Sequence, residues 1–311
     1  MIESSQPPFC QTDISGSASV DLFGNQIIKD ELLRDKFIEP PFSILDSKSG
    51  NWRKRVNKWK RLGFKSDLGR DAIIAGTTNM TKLMKDKTRC KGHKVHDGTS
   101  IFDPALAELI YHWFCEPNGL ILDPFAGGSV RGIVANYLGF KYTGIDIRQE
   151  QVESNREQAL NILPINNQPQ WYVGDSNEAL DIEFKHKFDL IFSCPPYADL
   201  EVYSDLNGDI SNMNYNDFLI AYKSIIKKAV LHLKVGGFAC FVIGEVRNNK
   251  GNYIGFVPDT IKAMEEAGLK YYNECIYLNG LAGACLTAGR IMGISKKVKK
   301  VHQNVLVFRK V

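Results

Sequence analysis

From about residue 97 to the end of the chain, apolar runs and amphipathic runs alternate. "DPALAELIYHWFC" has helical spacing, and "GLILDPF" reads as a strand ended by "AGGS". "VRGIVANYLG" follows as a helix stopped by Gly139, then "KYTGIDI" as a strand and "RQEQVESNREQALNI" as a helix. "WYVGDS" and "FDLIFSC" are further strands, and "YNDFLIAYKSIIKKAVLHLKVGG" reads as one long helix with a glycine stop. "FACFVIGEV", "LKYYNECIYL" and "QNVLVFRK" are strands, with "FVPDTIKAMEEAG" a helix between the first two. This rhythm predicts an α/β fold, a mostly parallel sheet with helices on both faces. In such sheets ligands bind beyond the carboxyl ends of the strands.

Before residue 97 the pattern changes. Residues 1–50 are polar, with "EPPFSIL" as an extended anchor, and "NWRKRVNKWKRLGFK" places Trp52, Val56 and Trp59 at helical spacing among basic positions. The chain therefore divides into a basic N-terminal accessory segment, 1–96, and a catalytic domain, 97–311. The net charge of +4 hides a segregation: residues 51–96 carry fourteen Lys/Arg against three Asp/Glu. A basic block on a mildly acidic body suggests a polyanionic partner. Arg53, Lys54, Arg55, Lys58, Lys60 and Arg61 are the candidate phosphate contacts. The competing reading is a solvated basic face, with Trp52 and Trp59 packed on the catalytic domain.

The seven cysteines are scattered with no C-x-x-C, which fits reduced thiols and a cytoplasmic protein. There is no apolar run long enough for a membrane span and no secretory leader pattern. Cys90, His93 and His96 are spaced like metal ligands, but no fourth ligand is evident and no metal is expected.

Chemistry gathers at the predicted strand ends. Gly127 and Gly128 permit a tight turn and close backbone approach. Asp146 lies at the next strand tip, about twenty residues on, where an acid can accept from two ribose hydroxyls. Asp175, at the third tip, is placed to accept from an adenine amino group. Helix capping competes for both acids. A pyrophosphate cradle of the G-x-x-x-x-G-K-[ST] or G-x-G-x-x-G kind is absent, so a nucleoside cofactor without pyrophosphate fits better.

"DPFAGGS", "GIDI", "GDS" and "CPPY", in that order, resemble the SAM-dependent amino-methyltransferases that methylate adenine N6 or cytosine N4 in DNA. The resemblance covers roughly residues 97–311 and extends to methylases of the phage and restriction-modification kind. It implies a Rossmann-like class I methyltransferase with a seven-stranded sheet, S-adenosyl-L-methionine (SAM) as cofactor and DNA as partner. The implied cofactor contacts are Phe102, Asp103, Asp123, Pro124, Phe125, Ala126, Gly127, Gly128, Ser129, Asp146, Ile147, Asp175 and Ser176. Gly128 and Ser129 are exchanged relative to the family's D-P-F-x-G-[ST]-G. The implied catalytic residues are Cys194, Pro195, Pro196 and Tyr197: the Pro195 carbonyl and the side chain at 194 accept from the target amino group, and Tyr197 stacks on the flipped base. The family carries Asp, Asn or Ser where this chain has Cys194, and a thiol is only a weak acceptor. Cys194 as a working substitute, as a sign of weakened activity, and as a nucleophile all stay open. So do adenine versus cytosine, an RNA base as target, a catalytically weak nucleic-acid-binding homologue, and a homodimer. Asp199 and Glu201 are candidates to orient the base edge, and Arg247 and Lys250 to meet a phosphate. No segment after residue 215 is long enough for a separate target-recognition domain, so short or relaxed sequence specificity is expected.

Overall fold

In the computed structural model, the described residues are 33–64, 101–196, 206, 208–248, 250–279 and 284–311. Tyr197, Asp199, Glu201, Cys90, His93, His96 and the basic residues beyond Phe64 in the first segment lie outside them.

A short helix α1 (Leu33–Phe37) leads to strand β1 (Ile44–Asp46) and helix α2 (Gly50–Lys60). Then come α3 (Pro104–Phe114), β2 (Leu120–Asp123), α4 (Val130–Tyr137), β3 (Lys141–Asp146), α5 (Gln149–Ile162), β4 (Gln170–Val173), α6 (Ser176–Ala179) and β5 (Phe188–Ser193). A 3₁₀ turn at Ile210–Asn212 precedes α7 (Tyr215–Leu231), β6 (Leu233–Ile243), α8 (Phe256–Glu266), β7 (Leu269–Leu278), α9 (Ala284–Ser295) and β8 (His302–Lys310).

The strands form one sheet in the order β1-β7-β8-β6-β5-β2-β3-β4, and only β8 runs antiparallel to its neighbours. Seven of these strands make the class I methyltransferase sheet that the resemblance implies. The eighth is β1, from the "EPPFSIL" stretch, paired in parallel with Ile276–Leu278 of β7. Ser47 Oγ donates to the Leu278 carbonyl and ties the two strand ends.

The long helix read through "HLKVGG" stops sooner. It ends at Leu231, and β6 begins at Leu233. Gly236 and Gly237 lie inside the strand, where the pairing with β5 shifts register. Gly236 has φ 83°, and a Cβ at Gly237 would sit 2.8 Å from the Asp189 carbonyl oxygen. These glycines accommodate an irregular strand with close backbone approach rather than a helix stop.

Two layers of core cover the sheet. On one face α2, α3, α4 and α5 bury Trp52, Trp59, Leu106, Ile110, Ile133 and Val152; on the other α7 and α8 bury Phe218, Tyr222, Ile226 and Phe256. Gly132 lets α4 approach β3 and β4: a Cβ there would lie 2.5 Å from the Trp171 ring.

Candidate active site

A cleft of about 970 Å³ runs along the carboxyl ends of the parallel strands. The β2 tip makes its floor. Gly127 takes φ 51°, and Asn155 Nδ2 donates to its carbonyl at 2.7 Å. Beneath the loop, the Arg131 guanidinium donates to Asp123 Oδ2 (2.6 Å) and to the Phe125 and Ala126 carbonyls (2.7 and 2.9 Å), and it lies 4.9 Å from the Phe102 ring centre. Asp123 also accepts from Tyr142 Oη (2.8 Å), Ser193 Oγ (2.5 Å) and the Phe125 amide (3.2 Å). Burial works most strongly against the charge on Arg131, but the Asp123 carboxylate and its hydrogen bond, with Tyr142 and Cys194, together outweigh it and raise the pKa. Burial raises the Tyr142 hydroxyl well above its usual range, so it stays a neutral donor to Asp123.

Asp123 was grouped with the direct cofactor contacts, and the structure gives it a different place. Its side chain is fully buried and its oxygens face Arg131, Tyr142 and Ser193. Ala126 is likewise buried beneath the turn. Pro124, Phe125, Gly127, Gly128 and Ser129 do line the cleft. Ser176 also lines it, but its hydroxyl is spent on the Pro124 carbonyl at 2.5 Å.

The other two acidic tips differ. Asp146 accepts from the amides of Gly127 and Arg148, both at 2.9 Å, so it holds the loop while facing the cleft. Four lone-pair positions on a carboxylate leave room for further donors. Asp175 caps α6 through Oδ1, from the Asn177 amide at 2.8 Å. Its Oδ2 has no donor among the described residues. Capping and ligand binding are thus compatible at one residue, because they use different oxygens. Gly208 (φ 92°) comes so close that a Cβ there would meet Asp175 Oδ2 at 2.8 Å and Ile147 Cδ1 at 3.4 Å. Gly208, Asp209 and Ile210 thereby pack against Asp175 and Ile147 and line the cleft beside them. The sequence reading missed this wall; the "NGDI" turn was its only signal.

The β5 tip opens onto the same cleft through Cys194 and Pro196. Pro195 is buried between them, and no described residue donates to its carbonyl. Cys194 lies within electrostatic reach of Arg131 and Tyr222. Phe102 stacks edge-on against Phe192 (5.8 Å) and lines the cleft beside Asp103. Asp103 is the N-cap of α3, and its second oxygen accepts from Trp52 Nε1 (2.8 Å) and Tyr277 Oη (2.5 Å). The side chain is therefore committed to positioning three elements.

Helix α2 forms a further wall. Trp52 and Trp59 are buried, and Trp59 Nε1 donates to Glu108 Oε2 at 2.7 Å. Arg55 departs from the expected phosphate-contact set. It pairs with Glu108 at 2.6 Å, because a carboxylate buried in α3 needs a partner. Arg53 and Lys60 line the cleft, while Lys54, Lys58 and Arg61 are exposed outside it.

Burial pushes the Glu108 carboxyl up from its usual range, opposed by Arg55 and by the Trp59 hydrogen bond. A folded pKa above the unfolded one means the folded state holds more protons, so stability falls as pH rises through that interval. Glu108→Gln is expected to flatten this slope, as checked by thermal melts from mildly acidic to neutral pH.

Away from the cleft, Glu245 caps α8 by accepting from the amides of Gly255 and Phe256, both at 3.0 Å. Arg247 folds onto Tyr253, 3.7 Å from the ring centre, and donates to the Gly251 carbonyl. These contacts account for the turn. Among the described residues no group of three His, Cys, Asp or Glu is arranged to hold a metal, and no helix is long and apolar enough to cross a membrane.

Residues 36–157 match the family model described as DNA methylase, the N6/N4 methyltransferases. The match is a similarity of that segment to the family. It spans β1, the basic helix α2, the methylase loop at β2 and the Asp146 tip. The release factor glutamine methyltransferase of Fusobacterium nucleatum is 33% identical over 138 residues, which is 42% of this chain and 37% of that protein. The chain thus matches well under half of that relative's length. TrmN from Thermus thermophilus is similar in structure with a TM-score of 0.45 and 16% identity, over 68% of this chain and 49% of that one. A TehB-like SAM-dependent methyltransferase from Corynebacterium glutamicum gives a TM-score of 0.41 and 18% identity, over 76% and 99%. At these scores neither bears on the chemistry.

Proposed function

We propose that the chain transfers a methyl group from SAM to the exocyclic amino group of adenine or cytosine in DNA. The observation that carries this reading is the meeting of three features in one cleft. These are the Gly127–Asp146–Asp175 crevice, the Cys194–Pro196 corner and the cationic wall of α2. The DNA methylase match over residues 36–157 supports it.

Asp146 would accept from ribose hydroxyls and Asp175 from the adenine amino group, with Ile147 on the cleft wall beside them. SAM, when bound, supplies an electrophilic sulfonium methyl. An exocyclic amino nitrogen is a poor nucleophile because its lone pair is delocalised into the ring. The Pro195 carbonyl accepts one of its N–H bonds and draws the nitrogen towards tetrahedral geometry. Proline at 195 and 196 stiffens the corner, since φ is restricted at both. Cys194 offers a weaker acceptor for the second N–H. Transfer would exchange the sulfur–methyl bond for a nitrogen–methyl bond, the proton then passing from the nitrogen to water in the cleft. Tyr197, next to the corner in sequence, stacks on the base.

Incubation with isotopically labelled SAM and DNA, followed by mass spectrometry of the nucleosides, tests the reading. N6-methyladenine or N4-methylcytosine is the expected product. Cys194→Ser is expected to retain or raise the rate, since an oxygen replaces a poor acceptor at similar shape. Abolition of all transfer by this change would instead point to a thiol-specific role.

The 33% identity to a release factor glutamine methyltransferase favours a second reading, methylation of a glutamine side-chain amide in a protein. That nitrogen is also delocalised and needs the same pair of acceptors. Label appearing in protein or RNA, with DNA left unmodified, would overturn the DNA assignment.

A further inference from the structure

The strand order divides the cleft into two chemically different halves. β4, β3 and β2 carry Asp175, Asp146 and Gly127 on one side, and β5 brings Cys194–Pro196 to the middle. Beyond β5 lie β6, β8, β7 and β1. At about 4.8 Å per strand, the β7 tip is roughly 14 Å from the corner.

That far half carries hydrogen-bonding and cationic side chains. Ser47 follows β1, Asn279 follows β7, and Gln303 on β8 pairs with Tyr277. Arg53, Asn57 and Lys60 face them from α2 at i, i+4 and i+7, the spacing of a single helix face. The wall is held rigidly. Trp52 on the same helix packs against Tyr277 with ring centres 5.7 Å apart, and both donate to Asp103. The carboxamides of Asn57 and Asn279 have no hydrogen-bond partner among the described residues.

A carboxamide presents a donor and an acceptor side by side, which matches the edge of a nucleobase. Two cations on the same wall match backbone phosphates.

We propose that the far half of the cleft is a subsite for the nucleotide flanking the target base. Arg53 and Lys60 hold its phosphates, and Asn57 and Asn279 read its base edge. The chain thereby carries its own short sequence preference. This inference rests on the DNA amino-methylation reading above and adds where the substrate's neighbouring nucleotide sits.

The test uses the full chain, SAM and duplex oligonucleotides with randomised flanks, with methylated positions read by sequencing. Asn57→Ala and Asn279→Ala are expected to lower discrimination between flanking bases about tenfold, the loss of one good base-edge contact. SAM affinity, measured separately by calorimetry, should not move. Asn57 lies exposed on a helix surface, so its replacement leaves folding intact. The Arg53→Ala, Lys60→Ala double variant should raise KM for all flanks alike and reduce the salt dependence of binding by about two ions. Wild-type flank preference in both asparagine variants would overturn the subsite while leaving the DNA reading standing. A wild-type chain that methylates no DNA would overturn the underlying reading, and the subsite with it.

Discussion

Replacing Asp123 by asparagine is expected to cost about 3–5 kcal/mol of folding stability, the usual penalty for leaving one member of a buried ion pair uncompensated. A domain of ordinary stability has only about 5–15 kcal/mol in total. The expected size follows from the connections. Asp123 faces Arg131 at 2.6 Å, and both side chains are almost wholly buried. The same carboxylate takes the hydroxyls of Tyr142 and Ser193, so it joins β2, β3, α4 and the end of β5. Arg131→Met should behave similarly, with the Phe125 and Ala126 carbonyls also losing their donor. Urea denaturation of wild type and variants measures the loss. Because Ser193 immediately precedes Cys194, a milder probe is available. Ser193→Ala removes one hydroxyl, and should lower kcat more than it raises KM for SAM, because it loosens the corner and not the crevice. A cost below about 1 kcal/mol for Asp123→Asn would mean the network is not what holds the two loops in register.

Asp146→Ala is expected to lower SAM affinity by about a hundredfold or more. Two hydrogen bonds from ribose hydroxyls to a carboxylate are worth about 1.5–3 kcal/mol each, and every 1.4 kcal/mol is tenfold. The substitution also frees the Gly127 amide that Asp146 now holds at 2.9 Å, so the loop loses its shape as well as its partner. Arg148, buried and 3.7 Å from the same carboxylate, makes some loss of stability inevitable. Asp146→Asn separates the two effects, since it keeps an acceptor near the Gly127 amide while removing the charge. Calorimetric titration with SAM should place it between wild type and Asp146→Ala. Equal affinity in all three proteins would remove the crevice from the cofactor's binding site.

Much of the framework is legible along the chain. The apolar and amphipathic runs mark the strands and most helices from residue 104 onward, α6 and α9 excepted, and "DPFAGGS", "GIDI", "GDS" and "CPPY" each stand at a strand end. The long-helix reading through Lys234 failed because Gly236–Gly237 serves equally as a helix stop or a strand irregularity. Only the close approach of the Asp189 backbone tells them apart. Strand β1 was legible as an extended anchor, but its partner was not.

What the sequence determines by itself is local: which segments extend, which coil, where glycine and proline force a turn, and therefore which residues reach strand tips. The tertiary structure alone decides which oxygens at those tips are free. Asp123, Asp146 and Asp175 are similar in the sequence, yet the first is consumed by side chains up to 70 residues away, the second shares itself between loop and cleft, and the third keeps one oxygen without a described donor. The same holds for α2, where Arg55 turns inward to Glu108 and Arg53 and Lys60 face the cleft. Periodicity reports neighbours along one element, whereas a carboxylate's partners depend on which strands lie side by side.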